Sequence, residues 1–435
     1  MKREIEDYCR AYMRFLGVAK TERRAYAEAV RLLEAKGFRL LDGQPSLKPG
    51  DRVWRGYHGK TLFAAVIGQD PVTAGIRVVG GHTDAPRLDL KPKPLYEKGG
   101  VAYLDTHMYG GIKKYQWLVL PLALYGTVVR KDGRKVDIAL GDEPGDPVFM
   151  ISDVLPHFGK EQLEKKAKDL VAAEDLDVIA GLGSVAELLE KRYGIGKDDL
   201  LSAELEVVPA GEPREVGLDR ALIAAYGHDD RVCAYAGLHA LMGLASGRAA
   251  VPSKTCAVVL CDKEEIGSVG ATGMESSFFE NTVAELVERQ AKCARDIDVR
   301  RALERSQMLS ADVCAASDPH FPDADSIGNE AKLGLGPCAI KYTGAASKSG
   351  ASDARAEFVA EIRRTMDGAK VEWQMGELGR AEKGGGGTIS KFMARFGMDV
   401  LDFGTPLLNM HAPWEIASKH DCFHTMKAYR AFFAR

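Results

Sequence analysis

The stretch GGHTD at residues 80–84 places a histidine, His82, two positions before a carboxylate, Asp84, directly after the apolar run IRVV. Such a pairing serves either a metal ligand with a carboxylate beside it or a polar pair at a strand end. Four other short stretches carry the same residue types: GHDDRV at 227–232, CDKEEIGS at 261–268, LSADVCAASD at 309–318 and LLNMHAPWE at 407–415. Together they offer His82, Asp229, Glu265, Asp312 and His411, two imidazoles and three carboxylates. A mixed nitrogen and oxygen donor set of this kind suits zinc, cobalt or manganese.

A dinuclear hydrolase has a use for each type. One carboxylate bridges two ions about 3.5–4 Å apart, so that both can grip a hydroxide and the reacting oxygen. A terminal imidazole and a terminal carboxylate on each ion set its charge and leave a position open. The second ring nitrogen of a ligand histidine needs an acceptor, and Asp84 is placed to orient the His82 site. The base that activates water must not itself be a ligand, because coordination consumes its lone pairs. Adjacent acids, Glu264 and Glu265, can divide those two roles.

Each stretch alone also has a plainer explanation. Asp229 and Asp230 can be a cap and a first-turn acid of a helix, Glu264 and Glu265 solvated loop acids, and Lys341 in IKYTG a surface lysine. Asp312, between apolar neighbours, needs a cation or donor partner in any case. His228, His239, His420 and His424 fit helical settings without a ligand role, and none is assigned to His107 or His320. The tract GGGG at 384–387 lacks the Gly-Lys-Ser/Thr of a phosphate loop. Its glycines would instead let backbone amides approach a substrate or an oxyanion.

The elements that must position these residues are legible as patterns. Residues 1–40 read as two helices, the second capped by Thr21, with Tyr26, Val30 and Leu33 on one face and Gly37 at its end. TLFAAVIG and GIRVVGG read as buried strands. Residues 90–213 are strand-rich, with Asp132-Gly133 as a hairpin signal and a helical pair near KEQLEKKAKDLV and SVAELLEKRYG. After them helix and strand patterns alternate, and FFENTVAELVERQAKCARDIDVRRALE reads as one helical segment. Alternation predicts an α/β fold, a mainly parallel mixed sheet flanked by helices, with ligands collected at the carboxyl ends of strands. The expected organisation is a discontinuous domain of residues 1–89 and 214–435 with a β-rich insertion at 90–213.

Composition narrows the partners. The 435 residues are 46% hydrophobic and 28% charged with a formal net charge of -3, which argues for a globular protein and against nucleic acid as a partner. The start, MKREIEDYCR, does not read as a signal peptide. The longest apolar run, WLVLPLALY, is about half of the ~18 residues that suggest a membrane span. Eight scattered cysteines without a C-x-x-C pair read as reduced thiols, which predicts a cytoplasmic protein without a membrane partner.

In this order, HTD, DDR, DKEEIGS, SAD and MHAPWE resemble the metal-site motifs of the aspartyl aminopeptidase/aminopeptidase I family of dinuclear zinc exopeptidases. GGGGTISKF before the last histidine is similar to the bacterial branch, and the resemblance spans nearly the whole chain. It implies a zinc-exopeptidase-like fold and a metalloaminopeptidase acting on peptides with two divalent ions, zinc or else cobalt or manganese. Carried over by position, His82 binds one ion and Asp84 orients that site. Asp229 bridges, Glu264 is the general base, Glu265 and Asp312 are terminal ligands, and His411 completes the second site. Gly386, Gly387 and Thr388 resemble a segment lining the substrate site. Lys341 matches a position that could meet a substrate carboxylate, and His157 in VLPHF one donated from a neighbouring subunit. The insertion would be a dimerisation domain, and dimers would assemble into a tetrahedral homododecamer with the active sites inside. Competing expectations are a dinuclear deacylase or carboxypeptidase of the same fold and a cage-forming scaffold with structural metals. Glu264 speaks against the scaffold, since a structural site needs no unliganded base.

Overall fold

The computed structural model describes residues 2–245, 250–291, 295–322, 328–344, 350, 352–379 and 385–435. Cys293 and Gly384 lie outside the described residues. The centre is a nine-stranded mixed sheet. Its middle strands, Cys256–Cys261, Arg77–His82, Gln307–Ser310 and Asp399–Gly404, run parallel. Antiparallel pairings flank them, Thr61–Val66 on one side and Cys338–Ile340 on the other. CAVVLC and RVVGGH are buried at every position, as strands covered on both faces must be.

Successive side chains point to opposite faces, and the strand residues divide accordingly. Val79, Val258, Leu260, Leu309 and Phe403 face a core built with the helices Lys2–Val18, Glu22–Glu34, His228–Leu244, Ala356–Gly368 and Lys419–Phe433. Val78, Val259, Met308 and Val400 face a second core under Phe278–Ala291, Asp296–Glu304 and Ser390–Ala394. The Thr21 hydroxyl accepts the Arg24 N–H as expected. The helix after it buries Ala25, Ala29 and Leu33 rather than Tyr26 and Val30, because the small alanines admit the close contact while the larger side chains pack at its margin.

Register brings the strand ends together. Cys261 lies opposite His82, Ser310 opposite Gly80, and Ser310 opposite Asp402. LSADV therefore begins within a four-residue strand, Gln307–Ser310. The helical segment before it is two helices, Phe278–Ala291 and Asp296–Glu304. A five-stranded sheet unanticipated in the sequence pairs Pro406–Leu408 with Glu415–Ser418, and their connecting loop carries His411. Its strands are two to four residues long, too short for an alternation pattern to register.

A six-stranded sheet occupies residues from Arg87–Lys98 through Ala203–Pro209 and is antiparallel throughout. It has its own core around Leu88, Trp117, Leu122, Val178 and Val207. Asp132-Gly133 turns the hairpin between Leu122–Val129 and Lys135–Leu140, with Gly133 at φ +83°. Of the helical pair in this stretch, SVAELLEKRYG forms the helix Val185–Tyr193, while KEQL makes only one turn. No helix among the described residues is long and apolar enough to cross a membrane.

Candidate metal centre

The first strand end supplies His82. Its Nδ1 donates to the Asp84 carbonyl at 3.0 Å and lies 3.3 Å from the Asp84 carboxylate, which leaves the Nε2 lone pair pointing inward. There it meets Asp229 Oδ1 at 3.1 Å, with Glu264 and Asp312 each at 4.0 Å. His411 mirrors this arrangement. Its Nδ1 donates to the Gly111 carbonyl at 3.1 Å, and its Nε2 faces Asp229 Oδ2 at 3.3 Å and Glu265 Oε2 at 3.4 Å. Asp229 thus offers one oxygen to each histidine.

Asp229 and Asp230 open the helix His228–Leu244, joined by a cis peptide bond and with non-helical dihedrals. Neither carboxylate caps the helix. Asp230 Oδ2 accepts the backbone N–H of His82 at 3.2 Å, and burial holds its carboxyl well above the usual range. Glu264 and Glu265 sit in a one-turn helix between Lys263 and Gly267, both of positive φ. Their backbone N–H groups donate to the two oxygens of Asp84 at 3.2 and 3.1 Å. Asp84 therefore ties the first strand end to the loop that carries both glutamates.

Imidazole Nε2 atoms that face carboxylate oxygens at these distances need a positive charge between them, which a proton or a metal ion can supply. Without metal ions, protons fill that place. Burial opposes charge on both histidines, but hydrogen bonds to Asp229 and Asp84 carry His82 well above its ordinary value. Asp229 and Glu265 likewise hold His411 up to about 10. The carboxylates divide. Asp229 is driven low despite its burial by its bonds to His411 and His82. Burial and mutual repulsion lift Glu265 and Asp312 and bring Glu264 to about 7. Glu265 Oε1 is buried without a hydrogen-bond partner, as an open ligand position would be. The donor set fits divalent metal.

These groups open into a cavity of about 740 Å³ whose wall includes Gly386, Gly387 and Thr388. Lys341 is not on that wall, although its neighbours Ile340 and Tyr342 are. Its ammonium donates to the Tyr342 hydroxyl at 2.6 Å. His157 is exposed on the turn Pro156–Phe158 and is not among the described residues that line the cavity.

Several participants escaped the sequence. Glu415, inside MHAPWE, takes the backbone N–H groups of His411 and Asp229 at 2.7 and 3.0 Å. Tyr109 donates to Asp84 at 2.9 Å, and Gly111 supplies the carbonyl that orients His411. No local signal marks Tyr109 or Gly111, because their partners are remote in the chain.

Other histidines show what a ligand is not. His228 accepts from the Tyr12 hydroxyl and donates to the Ile223 carbonyl, so neither nitrogen is free. Glu372, His420 and His424 also cluster. There the Glu372 N–H donates to His424 Nδ1 at 2.9 Å, which puts the proton on Nε2, the atom facing the cluster.

Comparison with known proteins agrees with this chemistry. Residues 15–433 match the family described as aminopeptidase I zinc metalloprotease, M18. A probable M18 family aminopeptidase 1 of Clostridium acetobutylicum is 44% identical over 97% of this chain and 93% of its own length. A solved M18-family aminopeptidase from Thermotoga maritima superposes with a TM-score of 0.94 at 42% identity, covering 100% of this chain and 97% of that one. The dodecamer of mature Ape1 from Saccharomyces shares the fold at a TM-score of 0.80 and 20% identity, over 98% of this chain and 96% of that one. By sequence and by fold, the chain belongs to the M18 aminopeptidase family of zinc metalloproteases.

Proposed function

We propose that this chain removes the first residue from peptides with a free amino terminus, using two divalent ions. The observation that carries the reading is the disposition of Asp229, one oxygen toward His82 and the other toward His411 at the floor of a cavity. His82 and Asp312 would hold one ion, His411 and Glu265 the other, and Asp229 both. Zinc is the metal of the family, and cobalt or manganese suits the same donors. Bound there, the ions would supply Lewis-acid charge and make a nucleophilic water available at neutral pH.

Glu264 takes the proton of the attacking water and returns it to the departing amine. It borders the centre without facing His411, and its backbone is held by Asp84. Asp84 keeps His82 in the tautomer whose Nε2 is a ligand. Gly386 and Gly387 admit the substrate backbone close to their amides, and Thr388 lies beside them. Lys341 meets a substrate carboxylate by leaving Tyr342. Residues 90–213 act as a dimerisation domain inserted into a catalytic domain of 1–89 and 214–435. Exposed Leu155, Phe158 and Leu163 support that reading. His157, in the same segment, would then reach a neighbouring subunit's cavity in a cytoplasmic dodecamer built from dimers.

The test is hydrolysis of aminoacyl-anilides (Asp, Glu, Lys, Leu, Ala) and their N-acetyl forms by chelator-stripped protein, with and without zinc, cobalt or manganese. Metal-restored release that acetylation abolishes is expected. Equal anilide release from the acetylated substrates would mean an amidase that needs no free amino terminus, and acetate release without anilide release would mean a deacylase. No release with metal bound would mean a non-catalytic cage.

A further inference from the structure

Tyr109 and Gly111 belong to the six-stranded sheet and the turn that follows it, yet both contact the metal centre. Tyr109 closes the strand Val101–Tyr109. Its hydroxyl donates to Asp84 Oδ2, the oxygen that also accepts the Glu265 N–H. Asp84 Oδ1 accepts the Glu264 N–H beside His82 Nδ1. Asp84 is therefore held from four sides, and only Tyr109 comes from the second sheet. The tyrosine ring is itself clamped, with the Arg87 guanidinium 3.8 Å from its centroid. Arg87 is fixed by Asp89 at 2.7 Å and by Glu22 and Glu206, each at 3.3 Å. Two residues beyond Tyr109, the Gly111 carbonyl accepts from His411 Nδ1. Gly110 between them takes φ +73°, where a Cβ would lie 3.3 Å from Pro86.

We infer that the turn at Tyr109, Gly110 and Gly111 positions both metal-binding histidines, so the six-stranded sheet is a working part of the metal centre as well as an attached module. Tyr109 is a positioning residue acting through Asp84, and Gly111 acts through its carbonyl on the His411 tautomer. A displacement of that sheet moves acceptors of both histidines together, which gives assembly through the sheet a direct route to metal affinity. The inference rests on the reading of His82 and His411 as ligands.

The experiment compares wild type, Tyr109→Phe, Gly110→Ala and the control Tyr125→Phe. Tyr125 lies in the same sheet and donates to Asp142 at 2.6 Å, so its loss reports a part-buried tyrosine–carboxylate bond outside the centre. Chelator competition measures metal affinity, the visible spectrum of the cobalt-loaded protein reports ligand geometry, and melting of the metal-free protein reports the fold. Tyr109→Phe should weaken metal retention about 10–100-fold and alter the cobalt spectrum, with the control unchanged. Gly110→Ala should loosen metal as well, and it decides the matter if Tyr109→Phe does not fold. Wild-type affinity and spectrum in the folded variants, or equal losses in the control, would overturn the inference. A wild type that binds no metal would instead overturn the ligand reading beneath it.

Discussion

Glu264 and Glu265 are neighbours of one chemical type with different surroundings. Glu265 faces His411 at 3.4 Å, whereas Glu264 lies 4.0 Å from His82 and groups with it and Asp312. Glu264→Gln keeps the shape and removes the base, so metal content and assembly should survive while kcat falls on the order of 10²–10⁴-fold. Metal analysis beside steady-state kinetics checks this, and turnover near wild type would remove Glu264 from the role. His411 yields a prediction of pH dependence for the metal-free protein. Its folded value is raised from 6.5 to about 10. The stability it contributes is therefore complete below 6.5 and lost as pH rises toward 10. Metal-free protein should melt progressively lower across that interval, and metal should flatten the dependence, as calorimetry over pH will report.

At the scale of elements, the glycines before His82 show why the strand reads GGH. A Cβ on Gly81 would lie 2.5 Å from the Asp230 carboxylate and 2.8 Å from the Ala311 carbonyl. A Cβ on Gly80 would be 2.9 Å from Val259 and closer still to Met308. Neighbouring strands and the Asp230 side chain occupy that space, which keeps the His82 N–H within reach of Asp230. Gly81→Ala should cost about 1–3 kcal/mol in denaturant unfolding and weaken metal binding. Unchanged stability would mean that the neighbours yield freely. Strands such as CAVVL and IRVV were legible because burial on both faces makes them continuous apolar runs. QMLS and the five-stranded sheet were not, because two to four residues carry no period and their pairing is entirely non-local.

At the scale of the molecule, His157 and the exposed Leu155, Phe158 and Leu163 share one segment of the inserted stretch. If the inserted stretch forms the proposed dimer contact, these exposed apolar side chains are where it would be tested. Phe158→Glu with Leu163→Glu should shift the protein to a smaller species in light scattering after size exclusion. If His157 acts across the boundary, anilide turnover should fall with it. An unchanged mass would remove this segment from the interface.

The sequence by itself determined the candidate donors and their order, because a metal centre of the proposed kind demands imidazoles and carboxylates and each motif carries its own. It also determined the alternation that makes an α/β sheet. It left open which oxygen faces which nitrogen, since the place of Asp229 between His82 and His411 depends on how the helix His228–Leu244 and the loop carrying His411 meet the end of the central sheet. It was silent on Tyr109 and Gly111, and it offered Asp230 only as a helix cap or first-turn acid, because their contacts join residues far apart in the chain. Glu415 stood inside a motif, yet its task is to accept backbone N–H groups, and backbone direction has no signature in residue type. Donor chemistry is local and survives in sequence, whereas tautomers, orientation and the joining of two sheets at one centre arise only when the chain closes on itself.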